Sequence, residues 1–152
     1  MAPIGETSLT ALISTLTLTL SPTTYVFLTI PTTQFKPPYP FPLESAIMTF
    51  READSEGITI IAPLENARKY HQFPYQYECR LITCAVHSSL EAVGFLAVLT
   101  RELAESGISC NPVSAFYHDH LFVPVGREKD AVALLEGVVT RARKELDADG
   151  EK

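Results

Sequence analysis

The order of elements along the chain predicts an α+β protein made of two fused ferredoxin-like βαββαβ units, with antiparallel sheets and helices on one face. Three observations carry this prediction. From Tyr77 onward the patterns run strand, helix, strand, strand, helix. Before Tyr77 they run strand, proline-rich loop, strand, strand, short helix, so the earlier half reads as the same unit with its first helix replaced by a loop. The two hairpins also leave through comparable sequences: Ile58-Thr59-Ile60-Ile61-Ala62-Pro63 enters a helix containing Ala67, and Leu121-Phe122-Val123-Pro124-Val125 enters one containing Ala131. The predicted division is an N-terminal helix and degenerate unit over 1–75, a second unit over 76–146, and a charged, frayed tail over 147–152.

Element by element, Leu9, Leu12, Ile13, Leu16 and Leu20 recur at helical spacing, although Leu16-Thr17-Leu18-Thr19-Leu20 also alternates as a strand would. The spacing predicts a helix from Ser8, ended by Ser21-Pro22-Thr23. Tyr25 to Ile30 is a β-branched and aromatic run that predicts a buried strand. Prolines at 31, 37, 38, 40 and 42 remove donors and fix φ, so residues 31–42 are a long loop rather than a central strand or helix interior. The alternative use of such a segment, as a ligand for an SH3-type domain, lacks flanking basic residues.

Strands are predicted over Ala46 to Arg51 and Ile58 to Ala62, joined by an acidic connection ending at Gly57, with a short helix from Leu64 to Tyr70. Tyr77 to Val86 alternates at first and is then apolar on both faces, which predicts a strand beginning at an edge and ending deep inside. A helix is predicted from Ser89 to Ser106, with Leu90, Val93, Leu96, Ala97, Leu103 and Ala104 along one side and Phe95 and Leu99 widening the stripe. Ile108 to Tyr117 and His120 to Val125 follow as a hairpin turning near His118-Asp119. Ala131, Leu134, Leu135, Val138 and Ala142 define the last helix.

The 152 residues, 46% hydrophobic, suffice for one well-buried domain or two small fused ones. A net charge of −6 argues against nucleic acid and anionic membrane surfaces as partners, since both require clustered Lys and Arg. The three cysteines, Cys79, Cys84 and Cys110, have neither the number nor the spacing of a disulfide scaffold or paired zinc site, and read as reduced core residues. The first twenty residues lack a basic n-region and contain Glu6, so no secretory signal is expected. No apolar run reaches transmembrane length, and a soluble, cytoplasmic protein is expected.

The stretch His87-Ser88-Ser89-Leu90-Glu91-Ala92-Val93-Gly94 concentrates the local chemistry. Ser88 and Glu91 have the spacing of a capping box, and Gly107 sits where a left-handed residue would end the helix. A helix N-terminus there would meet a carboxylate or phosphate favourably. Gly94, read as lying in the second helical turn, costs about 1 kcal/mol relative to alanine and implies close approach of a backbone or ligand. An ordinary capped helix packed on a sheet accounts for the same residues. His118, Asp119 and His120, with His87, invite a metal reading. Turn geometry for Asp and solubility for His at a hairpin tip explain them better, and no metal or other cofactor is expected. A catalytic reading would pair Ser88 or Cys84 with His87 or His118, but no G-x-S-x-G spacing is present.

Those runs, His87 to Gly94, Gly107-Ile108-Ser109-Cys110-Asn111 and Tyr117-His118-Asp119-His120-Leu121-Phe122-Val123-Pro124, resemble a small family of ACT-like proteins, and Glu56-Gly57-Ile58-Thr59 fits it too. The resemblance extends from about Tyr25 onward, with the proline-rich loop as an elaboration. It implies a tandem ACT-like architecture, similar in outline to CASTOR-type arginine sensors and to the regulatory ends of aspartate kinases. It also implies an amino acid or related metabolite as ligand, a homodimer, no catalytic activity, and a separate regulated protein partner. The ligand position implied is where the first strand meets the first helix, against the start of the next strand. Here that comprises His87, Ser88, Ser89, Leu90, Val93, Gly94, Ser109 and Asn111; separately, and midway between the metal and turn readings of that hairpin, Asp119 or His120 is read as helping to bind the ammonium or polar end of an amino acid. A pure dimerisation domain without a ligand is the alternative.

Overall fold

Strand alternation outweighs helical spacing near the start of the chain. The structure, a computed structural model, describes residues 8–53, 57–86, 90 and 92–150. Leu9–Ser14 forms a short helix, α1, capped by the Ser8 hydroxyl. It ends where the hydroxyls of Ser14 and Thr15 donate back to the carbonyls of Ala11 and Leu12, at 2.7 and 3.0 Å, a local alternative to further helix. Thr17–Ile30 is then one continuous strand, β1. The expected helix to Leu20 is therefore corrected: Leu16 is buried, Leu18 and Leu20 pack against the same core, and the intervening threonines favour extended backbone. Pro22 does not break β1, although it removes one donor from the strand.

The remaining strands are β2 (Met48–Arg51), β3 (Ile58–Pro63), β4 (Tyr75–Ala85), β5 (Asn111–Ser114) and β6 (Asp119–Pro124). With β1 they form an antiparallel sheet in the order β2-β3-β1-β4-β6-β5. β2 and β5 are the outermost strands, and along β4 the alternating, half-exposed start at Tyr75–Glu78 gives way to buried Cys79, Ile82 and Cys84.

The chain divides into two compact units, one made of Pro22–Cys79 and the other of Met1–Ser21 with Arg80–Lys152. The cuts fall inside β1 and β4, and α1 goes with the later elements because Leu12 and Ile13 bury their side chains in that unit's core.

In the Pro22–Cys79 unit, Val26, Leu28 and Ile30 face Ala62, Ile60 and Ile58 across the β1–β3 ladder, and all six belong to one core. The helix after Pro63, α2 (Leu64–Lys69), covers it with Leu64 and Ala67. The proline-rich stretch is ordered against this core. It carries short 3-10 turns at Thr32–Gln34 and Leu43–Ser45, and Phe41 is only 1% exposed, its ring 5.2 Å from that of Tyr70.

In the other unit, Ile82 and Cys84 of β4 and Leu121 and Val123 of β6 present their side chains to helices α3 (Phe95–Glu105) and α4 (Glu128–Gly150). The helix predicted from Ser89 starts at Phe95. Its buried stripe is Phe95, Leu99 and Leu103, spaced four apart, while Val93 is 86% exposed and Leu90 is exposed also. The end of α3 follows expectation: Gly107 has φ 69°, its N–H donates to Ala104, and the N–H of Ile108 donates to Leu103, a Schellman closure. Residues 147–150, expected to fray, continue α4 to Gly150.

Arg80, 20% exposed, ties three elements of this unit together. Its Nε and Nη2 donate to the Ser21 carbonyl at 3.0 and 2.6 Å, and its Nη1 to Glu128 Oε1 at 3.3 Å. The other Glu128 oxygen accepts from the Gly126 N–H, so the carboxylate also closes the turn into α4.

Candidate functional site: a cleft beside Gly94

The start of α3 is set by backbone conformation rather than by a side-chain cap. Gly94 is the N-cap residue, with φ 89° and ψ −6°, no side-chain cap bond, and its carbonyl accepting from the Val98 N–H at 3.0 Å. Gly94 is therefore not a second-turn residue; its role is to reach a left-handed conformation that side-chain-bearing residues avoid. The predicted capping pair Ser88 and Glu91, together with His87 and Ser89, lies outside the described residues. By helix geometry the N–H groups of Phe95, Leu96 and Ala97 have no acceptor within α3, and they carry the positive end of its dipole.

Space around Gly94 is open enough to separate sterics from conformation. A β-carbon there would meet Leu9 Cδ2 at 3.5 Å, an ordinary contact. Gly94→Ala is accordingly expected to cost about 1–2 kcal/mol through the left-handed backbone alone. A lowered denaturant midpoint with unchanged slope checks this.

Opposite this helix start stands the β5–β6 hairpin. It turns through Ala115 to His118, with the Ala115 N–H donating to the His118 carbonyl at 3.0 Å. Ser114 Oγ donates to Asp119 Oδ1 at 2.6 Å across the hairpin's base, which fixes the half-buried carboxylate. At the tip, Phe116 and Tyr117 make an edge-to-face pair with centroids 4.9 Å apart. Phe116 remains 77% exposed, so this pair is not a folding contact of the core.

Between the two lies a cleft of about 240 Å³. Leu90, Ala92, Gly94 and the first turn of α3 form one wall, and Ser114 through Asp119 form the other. Of the residues proposed from sequence, Leu90, Gly94 and Asp119 line it. Val93 points to solvent, Ser109 is exposed in the connection after α3, and Asn111 is exposed on β5 opposite Phe122. His120 pairs with Val113 and does not line the cleft. Phe95, Phe116 and Tyr117 were not anticipated there. The available signal was two consecutive aromatics at a hairpin tip, where burial gives no reason for them.

Among the described residues no group of three or more His, Cys, Asp or Glu side chains is arranged to hold a metal ion. Cys84 is buried, and that burial, reinforced by Asp119 and Cys110, pushes its thiol up to about 12. A thiol so held stays protonated at neutral pH and lacks the thiolate that nucleophilic attack needs.

The chain matches the ACT domain over residues 4–80 and again over residues 76–137. It belongs to the ACT-domain family. A Vibrio cholerae protein of unknown function is 33% identical, with 87% of this chain and 96% of that one covered and a TM-score of 0.72. The fold is shared at lower identity with aspartokinase alpha and beta subunits, at 12% identity, 81% and 97% coverage and TM-score 0.62. It is shared also with the ligand-free regulatory subunit of Thermus thermophilus aspartate kinase, at 8% identity, 80% and 95% coverage and TM-score 0.59. Among curated protein sequences none matches. The tandem ACT reading and the ferredoxin-like α+β class both stand. ACT domains are regulatory modules that generally bind small molecules and dimerise. Among the described residues no helix is long and apolar enough to cross a membrane.

Proposed function

We propose that this ACT-domain protein is a non-enzymatic regulatory module that binds an amino acid in the cleft beside Gly94, works as a homodimer in the cytoplasm, and acts on a separate protein partner. The observation that carries the reading is the cleft itself. Its volume of about 240 Å³ is below the roughly 300–1,000 Å³ of pockets for drug-sized ligands, which suits a metabolite of amino-acid size. Its lining draws on the start of α3 and on Asp119, two polar features that suit that class. The first-turn N–H groups of α3 favour an α-carboxylate, and the Asp119 carboxylate favours an α-ammonium. His87, Ser88 and Ser89, Ser109 and Asn111, and His120 remain proposals for ligand contact from sequence.

A thermal-shift screen of the amino acids at millimolar concentration tests this reading. A ligand present at about 100 times its Kd adds about 2.7 kcal/mol of stability, which raises Tm by roughly 5–11 °C in a chain of this size. A screen in which no amino acid or related metabolite moves Tm rejects it. The assembly reading, a dimerisation domain without a ligand, draws on one observation: Phe50 on edge strand β2 is 61% exposed, an apolar ring beside an unpaired strand edge. Sedimentation showing a stable dimer, together with a silent screen, would favour that alternative.

A further inference from the structure

We infer that a second copy of this chain docks along the open edge of β1 at Thr17–Ser21, strand against strand and α4 against α4, an inference that rests on the homodimer in the reading above. All of β3 is spent on the later part of β1, from Pro63 opposite Tyr25 to Ile58 opposite Ile30. In the unit made of Met1–Ser21 and Arg80–Lys152, β4 flanks β1 on one side, and among the described residues no strand flanks Thr17–Ser21 on the other. Such an edge turns backbone donors and acceptors toward solvent and is a template for another extended strand.

The side chains select a copy of the same strand. Leu18 and Leu20 pack against the core yet stay only partly buried, while Thr17 and Thr19, which alternate with them, are exposed on the other face. Antiparallel pairing of this segment with itself about Leu18 sets Leu18 against Leu18, Leu16 against Leu20 and Thr17 against Thr19. Leucine then meets leucine on the helix-covered face, and threonine meets threonine on the open one. A slip of one residue would turn the second copy's leucines away from the core that they complete.

Charge on α4 calls for the same operation. A cleft of about 370 Å³ runs between this edge and α4, with Leu16 and Leu18 on the strand side and Glu136, Thr140 and Arg143 on the helix side. Glu136 and Arg143 are separated by two turns, about 10 Å along the helix, with Thr140 between them. A two-fold axis beside Thr140 runs two α4 helices antiparallel and brings Glu136 of each copy to Arg143 of the other. Arg143 Nε donates to the Ser14 carbonyl at 2.8 Å, which holds the side chain in place and leaves its Nη groups for a carboxylate. Strand and helix are thus both self-complementary about a two-fold, a property that a second copy satisfies by construction.

Sedimentation of the full chain tests this, with far-UV circular dichroism showing that each variant is folded. The unmodified protein is expected to be a dimer at micromolar concentration. Thr17→Glu with Thr19→Glu, at exposed positions, sets like charges opposite each other twice across the two-fold and is expected to raise the dimer Kd about 10-fold or more. Thr17→Lys with Thr19→Glu sets opposite charges in the same two places and is expected to stay within about 3-fold of the unmodified protein. On the other element, Glu136→Arg turns both helix contacts repulsive and is expected to weaken the dimer about 10-fold. A dimer that the two glutamates leave intact, that lysine with glutamate weakens equally, or that Glu136→Arg does not touch overturns the inference and leaves the homodimer to another face. A chain that is monomeric at every concentration overturns the inference together with the homodimer, while the thermal-shift screen decides the amino-acid reading independently.

Discussion

Phe41→Ala is expected to destabilise the protein by about 3–5 kcal/mol, the range for removing a buried aromatic ring from a core. In a chain of this size that corresponds to a fall in Tm of roughly 6–20 °C. Phe41 follows four of the five prolines in residues 31–42, a composition that on sequence grounds suits an exposed connection as well as an ordered one. Its ring is nevertheless among the most completely buried in the molecule, in the same cluster as Val26, Leu28, Ile30, Ile58 and Ile60 and tilted against Tyr70. The proline-rich stretch takes the place, in chain order, of the first helix of a ferredoxin-like unit, and buried Phe41, with Phe35 packed against the same core, supplies apolar surface there. Tyr39→Ala provides the contrast. Tyr39 is exposed and meets Phe35 rather than the deep core, so its loss should remain within about 0.5 kcal/mol. Equilibrium denaturation of the two variants side by side checks both expectations.

Arg80→Met should cost a similar amount, about 3–5 kcal/mol, for a different reason. The guanidinium and the Glu128 carboxylate are 20% and 14% exposed, so removing the cation leaves a carboxylate short of its partner in a poorly hydrated place. It also strips the Ser21 carbonyl of two donors just before Pro22, where the strand itself lacks an N–H. Changing Glu128→Leu in the same chain should restore part of the loss. A coupling of about 0.5–3 kcal/mol in the double-mutant cycle is expected. Additive losses would mean that Arg80 acts through Ser21 alone.

Much of this fold is legible in the sequence where one period dominates. Tyr25 to Ile30 and Ile58 to Ala62 alternate around β-branched residues, and they pair as neighbouring strands. Gly107 reads as a helix stop and has the required left-handed φ. The misread places are those where two local rules compete. Leu16 to Leu20 fits both periods, and only the β1–β4 neighbourhood, a pairing between distant residues, decides for strand. Gly94 has apolar residues on both sides at helical spacing, so it reads as helix interior, whereas its positive φ makes it the residue at which the helix can start. That shift of six residues puts the first helical turn after Gly94 rather than after Ser88. The hairpin wall of the cleft, with Phe116 and Tyr117 at its tip, was the least legible part. No helical or strand period points to it, and its meaning depends on which element faces it across space.

The division of β1 and β4 between two compact units has a consequence for the order of events during synthesis. Pro22–Cys79 is one uninterrupted stretch, complete as soon as Cys79 has emerged. The other unit is assembled from both flanks of that stretch, so Leu12, Ile13 and Leu16 are made early and must wait for α3 and α4 to cover them. The intervening unit shortens the search that follows. Because β1 and β4 are adjacent strands, folding of Pro22–Cys79 draws its two ends together and delivers Ser21 next to Arg80. The loop entropy that distant flanks would otherwise lose is then largely lost already, because the flanks continue strands that are neighbours.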